Sequence, residues 1–126
     1  MCGIAGVLGN ISTRELCIQN MLHSLVHRGP DQQGTYYDDH FSGGMQRLAI
    51  NGLDDGAQPL YNKDMSVIIF YNGEIYNSKQ LKKELIAQGV SFRTHSDGEV
   101  IAHLYDQIGV KLFEKLDGMF AISIWD

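Results

Sequence analysis

A chain of 126 residues and 14.1 kDa has the length of one domain, which excludes a multidomain enzyme within this stretch. At 44% hydrophobic and 20% charged residues it has the profile of a folded chain rather than a disordered one. Its net charge of −5 and pI near 5.4 disfavour a nucleic-acid partner, because an acidic surface repels phosphate backbones.

The longest apolar runs, 67–71 and 119–122, fall far short of the ~20 residues that a membrane span needs, so no membrane segment is expected. No basic residue precedes Arg14, which makes a secretory signal a poor reading. Two cysteines, Cys2 and Cys17, form no disulfide framework and suit a reducing, cytoplasmic setting.

Residues 2–8 are small and apolar and end at Gly9-Asn10, which predicts a buried strand. Ser12 and Glu15 have capping-box spacing, and Ile18, Met21, Leu22, Leu25 and Val26 share one helical face, predicting a helix over 13–27. Arg28-Gly29-Pro30-Asp31 breaks it. Residues 34–50 are strand-like but punctuated by Gly43-Gly44, and 51–60 read as a loop. The strongest strand is 66–71, running into Asn72-Gly73. A second helix is expected over 78–88, its apolar face carrying Leu81, Leu85 and Ile86. A short strand should follow. Ser96 and Glu99 then have the spacing of a second capping box, opening a third helix with a stripe of Val100, Ile101, Leu104, Tyr105 and Ile108. A last strand covers 119–125. The order implies a layered α+β or α/β domain.

Four positions could carry chemistry, each with a plain alternative. Cys2 is either one more small residue in a strand or a nucleophile. Removal of Met1 would leave a thiol and a free α-amine on one residue, and an α-amine of ordinary pKa ~7.7–8.0 is a ready general base. Asn72-Gly73 is either a hairpin turn or a side-chain amide beside a bare N–H, two donors able to converge on one developing oxyanion. Arg47 is either a rim residue or a planar fork for a carboxylate. Asp97 is either an anion at the first helical position after Ser96 or a partner for a ligand's ammonium. His23 and His27 stand four apart without a convincing third ligand, so no metal site is expected. Ser42-Gly43-Gly44 lacks the lysine and helix start of a phosphate loop.

MCGIAGV at 1–7, HRGPD at 27–31, QRLAI at 46–50, AQPLYN at 57–62, NGEIYN at 72–77, SDGEVI at 96–101 and DGMFAISIWD at 117–126 occur in one order. Together they resemble the class II glutamine amidotransferases, and HRGPD and NGEIYN resemble the glutamine-hydrolysing asparagine synthetase branch in particular. The resemblance spans the whole chain and implies an α+β fold, a four-layer αββα sandwich of the N-terminal-nucleophile hydrolase type. It implies glutamine hydrolysis to glutamate and ammonia, with Cys2 as nucleophile and Asn72 and Gly73 as the oxyanion hole. Arg47 would hold the substrate α-carboxylate and Asp97 its α-ammonium, while the backbone at Leu48, Ile50 and Glu74 lines the same pocket and Arg28 buttresses it.

The resemblance further implies that 1–126 is the first part of a type-2 glutamine amidotransferase domain, incomplete at its C-terminus. Later strands, and a synthetase domain using ATP and Mg²⁺, are expected elsewhere, in cis or in trans. No cofactor or metal is assigned to these residues. L-glutamine is the expected ligand, and the oligomeric state is open, a homodimer included. Met45 and Gln46 stand where many relatives of that branch carry His and Glu, a difference expected to touch the pocket wall. Two other readings stay open: a catalytically silent glutamine-binding or docking module, and an N-terminal-nucleophile hydrolase for another amide.

Overall fold

The computed structural model describes residues 1–50 and 55–126; the first part of the expected 51–60 loop lies outside them. The elements are β1 (Gly3–Leu8), α1 (Arg14–Leu25), β2 (Gln32–Tyr37), β3 (Phe41–Arg47), β4 (Leu60–Tyr61), β5 (Ile68–Ile75), α2 (Ser78–Ala87), α3 (Glu99–Ile108) and β6 (Gly118–Trp125), with 3₁₀ turns after α1 and α3. They form a mixed domain with two three-stranded antiparallel sheets, ordered β1-β3-β2 and β4-β5-β6.

β3 organises the packing. All seven of its residues are buried, because α1 lies over one face of its sheet and the second sheet lies over the other. Alternate side chains serve the two sides, as the strand period of two requires. Phe41 and Met45 meet Ile68 and Phe70 of β5 in the core between the sheets. Ser42 and Gln46 face α1, where Ser42 Oγ accepts from Arg14 Nε at 2.9 Å and Gln46 Nε2 donates to the Leu22 carbonyl at 3.2 Å. The remaining face of the second sheet, with Ile69, Tyr71 and Ile75, packs against Leu81 and Leu85 of α2 and Val100, Ile101 and Leu104 of α3.

Several expectations need correction. Gly43-Gly44 does not interrupt a strand but lies in the middle of β3. A Cβ at Gly43 would come within 2.6 Å of the Phe70 ring, and one at Gly44 within 2.6 Å of Leu22, so these glycines let the layers approach closely. The strand-like stretch is instead broken at Asp38–His40, where Asp38 Oδ1 accepts the N–H groups of His40 and Phe41. Asn72-Gly73 is not a hairpin turn: β5 continues through it, paired with Ala121 and Phe120 of β6.

Neither capping box forms. Thr13 precedes α1 and Gly98 precedes α3, each without a side-chain cap. Ser96 Oγ accepts from Gly98 N–H, while the Glu99 carboxylate turns back to the N–H groups of Arg93 and Thr94. That pairing organises the segment between α2 and α3, which contains no strand. Asp97 consequently lies two residues ahead of the helix, not in its first turn.

The apolar stripes are narrower than expected. Met21 and Val26 beside α1's buried Ile18 and Leu22, and Ile86 on α2, are exposed. β1 is an edge strand, half-buried rather than buried, and His27 falls in the 3₁₀ turn beyond α1.

Candidate active site

Strand parity and register bring the predicted residues together. Gly3 of β1 pairs with Gln46 of β3, so the antiparallel register carries Cys2 to the level of Arg47. Ile4, Phe41 and Met45 belong to the core between the sheets, and Cys2 and Arg47 follow them at the period of two, facing inward at the same end. On β5 the inward residues are Ile68 and Phe70, and the next position on that face is Asn72.

A cleft of about 120 Å³ opens there. It is well under the ~300 Å³ at which pockets for drug-sized ligands begin, so it suits a single small molecule. All eight residues singled out in the sequence line it: Cys2, Arg47, Leu48, Ile50, Asn72, Gly73, Glu74 and Asp97.

The Cys2 thiol rests on the end of β3. Leu48 N–H donates to the sulfur at 3.3 Å, and the Leu48 carbonyl lies 3.6 Å away on the same side. The HRGPD segment holds this arrangement from both directions. Arg28 Nε donates to the Cys2 carbonyl at 3.0 Å, Asp31 N–H donates to the Arg47 carbonyl at 3.1 Å, and Asp31 Oδ2 accepts from Ala49 N–H at 2.9 Å. Gly29 is required where this segment crosses β3, since a Cβ there would lie 2.4 Å from the Gln46 carbonyl oxygen.

Arg47 is only 4% exposed yet lines the cleft, and its Nη1 donates to Gln32 Oε1 at 2.6 Å. A guanidinium aligned by a side-chain amide at the floor of a small cleft is a ready receptor for a carboxylate. Asp97 is held opposite by β5: its Oδ2 accepts from the Tyr71 hydroxyl at 2.7 Å and from Ile75 N–H at 2.9 Å. Burial first, and the Asp97 carboxylate second, hold the Tyr71 pKa far above the ordinary phenol value, so Tyr71 stays a neutral donor.

Met45 and Gln46 do not line this cleft. Met45 is in the core between the sheets, and Gln46 is under α1, where it also donates to Gln33 at 2.9 Å. Met45 shares the inward face of Arg47 but lies one inward position deeper along β3, and strand parity turns Gln46 to the opposite face, so neither reaches the pocket wall.

Sequence reasoning missed Gly56, Gln58, Tyr71, Ser96 and Met119, which complete the lining together with Met1. Gln58 and Ser96 lie inside motifs already noted, and Tyr71 directly precedes Asn72-Gly73. None of the five carries a charged side chain or a thiol, the signals that marked Cys2, Arg47 and Asp97.

The described residues contain no helix long and apolar enough to cross a membrane. A model of the glutamine amidotransferase domain matches residues 1–126. The chain is 41% identical over 131 residues to asparagine synthetase [glutamine-hydrolyzing] 1 of Bacillus subtilis, covering all of this chain and 21% of that protein. It is 46% identical over 131 residues to asparagine synthetase [glutamine-hydrolyzing] 2 of Oryza sativa subsp. japonica, with 22% of that protein covered. Against the probable asparagine synthetase of Dictyostelium discoideum it is 41% identical over 130 residues, with 23% covered. The chain thus spans about a fifth of the length of these relatives. An inward-facing cysteine, arginine and asparagine at one end of two packed sheets, and a family match over the whole length, establish that the chain belongs to the glutamine amidotransferase domain family.

Proposed function

We propose that this chain is the glutaminase unit of an asparagine-synthetase-like amidotransferase, working through the N-terminal-nucleophile mechanism. The stacking of α1, the two sheets, and α2 with α3 is then the αββα sandwich of that hydrolase class, extended by further chain. The observation that carries the proposal is the convergence of Cys2, Arg47, Asn72, Gly73 and Asp97 on one small cleft.

Once Met1 is removed, the Cys2 α-amine takes the thiol proton and the sulfur attacks the carboxamide carbon of glutamine. Asn72 Nδ2 and the Gly73 N–H receive the oxygen as it becomes negative, an interaction worth ~10²–10³ in rate per donor. The C–N bond then breaks and nitrogen leaves as ammonia with the proton held by the amine. Water attacks the resulting thioester, releasing glutamate and restoring the thiol. Arg47 binds the α-carboxylate and Asp97 the α-ammonium. Backbone at Leu48, Ile50 and Glu74 closes the pocket, and Arg28 steadies the nucleophile through its carbonyl. A site that pairs both charged ends of a free amino acid rejects amides lacking them, because its buried groups would be left unpaired.

The ammonia passes to an ATP-dependent synthetase domain in the same or a partner chain, with aspartate as the acceptor. ATP and Mg²⁺ are assigned to that other domain. The cysteine usage fits work in the cytoplasm.

Intact mass shows whether Met1 is lost, and glutamate release from glutamine is measured for the wild type and Cys2→Ala. Turnover abolished by the substitution supports the proposal. Turnover that survives it, or a preference for amides lacking the amino-acid backbone, overturns it.

A further inference from the structure

β4 pairs with β5 only through Leu60 opposite Ile69 and Tyr61 opposite Ile68. Extending this antiparallel register by two residues sets Gln58 opposite Tyr71, one position before Asn72. The backbone of Gln58 does not take up that pairing. Its carbonyl is turned to the first sheet, so close to Gly34 of β2 that a Cβ there would lie 1.8 Å from the oxygen.

The Gln58 side chain pairs with Tyr71 instead. Nε2 donates to the Tyr71 carbonyl at 2.8 Å and Oε1 accepts the Tyr71 N–H at 2.7 Å. A carboxamide carries one donor and one acceptor side by side and can satisfy both backbone groups at once. The Tyr71 hydroxyl in turn donates to Asp97 Oδ2 at 2.7 Å.

We infer that Gln58 and Tyr71 are positioning residues: the Gln58 carboxamide stands in for a missing strand at β5, fixing the approach to Asn72-Gly73 and, through the Tyr71 hydroxyl, the orientation of Asp97. The two ends of the substrate site, the oxygen cradle and the ammonium receptor, are thereby set from one residue in the 55–59 loop. This rests on the glutaminase reading, and its effects separate along the two branches. Gln58→Glu loses the donor and places negative charge against the Tyr71 carbonyl, disturbing both. Tyr71→Phe keeps the backbone pairing and removes only the bond to Asp97.

The test is steady-state glutamine hydrolysis by the full chain carrying each substitution, with the folded fraction followed by circular dichroism. Gln58→Glu is expected to lower kcat by about tenfold or more and to raise KM, because a misplaced donor loses transition-state stabilisation. Tyr71→Phe is expected to raise KM by about tenfold with kcat within about twofold. In a Cys2→Ala background it should weaken glutamine binding, measured by calorimetry, by a similar factor. A purely structural role would instead reduce the folded fraction and kcat together, leaving KM alone. Should Gln58→Glu fail to fold, Tyr71→Phe decides. Unchanged KM and Kd in Tyr71→Phe overturn the inference while Cys2-dependent turnover still stands. Turnover independent of Cys2 overturns the glutaminase reading itself.

Discussion

Arg28 Nε donates to the carbonyl of Cys2 at 3.0 Å, and so the turn after α1 holds the residue just ahead of β1. The bond fixes the Cys2 main chain while the Leu48 N–H fixes its sulfur from the other side. Arg28→Met keeps much of the aliphatic stem and removes the donor. It should lower kcat/KM for glutamine by about tenfold, since small misplacements of a nucleophile are costly. The loss of stability should be near ~1 kcal/mol, the usual net worth of one hydrogen bond. Glutamate release and urea unfolding measure the two effects separately.

Gly73 has φ +154° and no room for a side chain: a Cβ would stand 2.1 Å from the Met119 carbonyl oxygen and 2.6 Å from the Phe120 Cα. Gly89, after α2, has φ +89° but open space around it. Gly89→Ala should therefore cost only the backbone strain, about 1–2 kcal/mol, and leave hydrolysis intact. Gly73→Ala must in addition part β5 from β6 beside the proposed oxyanion donors. It should cost more stability and depress turnover by at least 10²-fold, on the scale of losing one such donor. Thermal unfolding with parallel activity assays compares the pair.

At the opposite end of the sheets, Trp125 Nε1 donates to Asp38 Oδ2 at 2.6 Å, and the indole stacks on Phe41 with ring centroids 5.1 Å apart. Trp125→Phe retains a ring but loses the bond to a carboxylate, which should destabilise the chain by about 2 kcal/mol. Trp125 pairs with Ile68, at the other end of β5 from Asn72, so the KM for glutamine should not move. A changed KM with an unchanged unfolding midpoint would contradict this account.

The Glu99 carboxylate is buried, which by itself would raise its pKa. The Thr94 hydroxyl at 2.6 Å, the Arg93 and Thr94 N–H groups and the His103 ring outweigh that and hold it below the ordinary 4.5. A folded-state pKa lower than the unfolded one stabilises fully above about pH 4.5 and progressively less as pH falls through the folded value. Glu99→Gln should cost about 2 kcal/mol at pH 7 and much less at pH 3, flattening the acid limb. Urea midpoints of both proteins between pH 7 and 3 give the comparison.

Much of this protein could be read directly from its residues. The periodicity over 13–27 and 78–88, and the stripe from Val100 to Ile108, located three helices, because burying one apolar face is a local demand written at spacings of three and four. Cys2, Arg47, Asn72, Gly73 and Asp97, five of the residues lining the cleft, could also be named, since a thiol, a guanidinium, a carboxamide beside a glycine and a carboxylate each advertise a chemistry.

Tertiary structure decided what lay between those local signals. Gly43-Gly44 looked like punctuation because isolated glycines interrupt strands, and only the approach of Leu22 and Phe70 from opposite sides makes them necessary within β3. Asn72-Gly73 favours a tight turn in isolation, yet pairing with β6 carries the strand straight through it. Glu99 had capping spacing but found stronger donors at Arg93 and Thr94. Gln58 looked like a polar loop residue, and its part emerges only when β4 ends short and leaves the Tyr71 backbone to be paired. Chain-local energies select helices and name reactive groups, whereas the partners of an edge, a glycine or an amide are chosen by whichever distant backbone the packing brings within 3 Å.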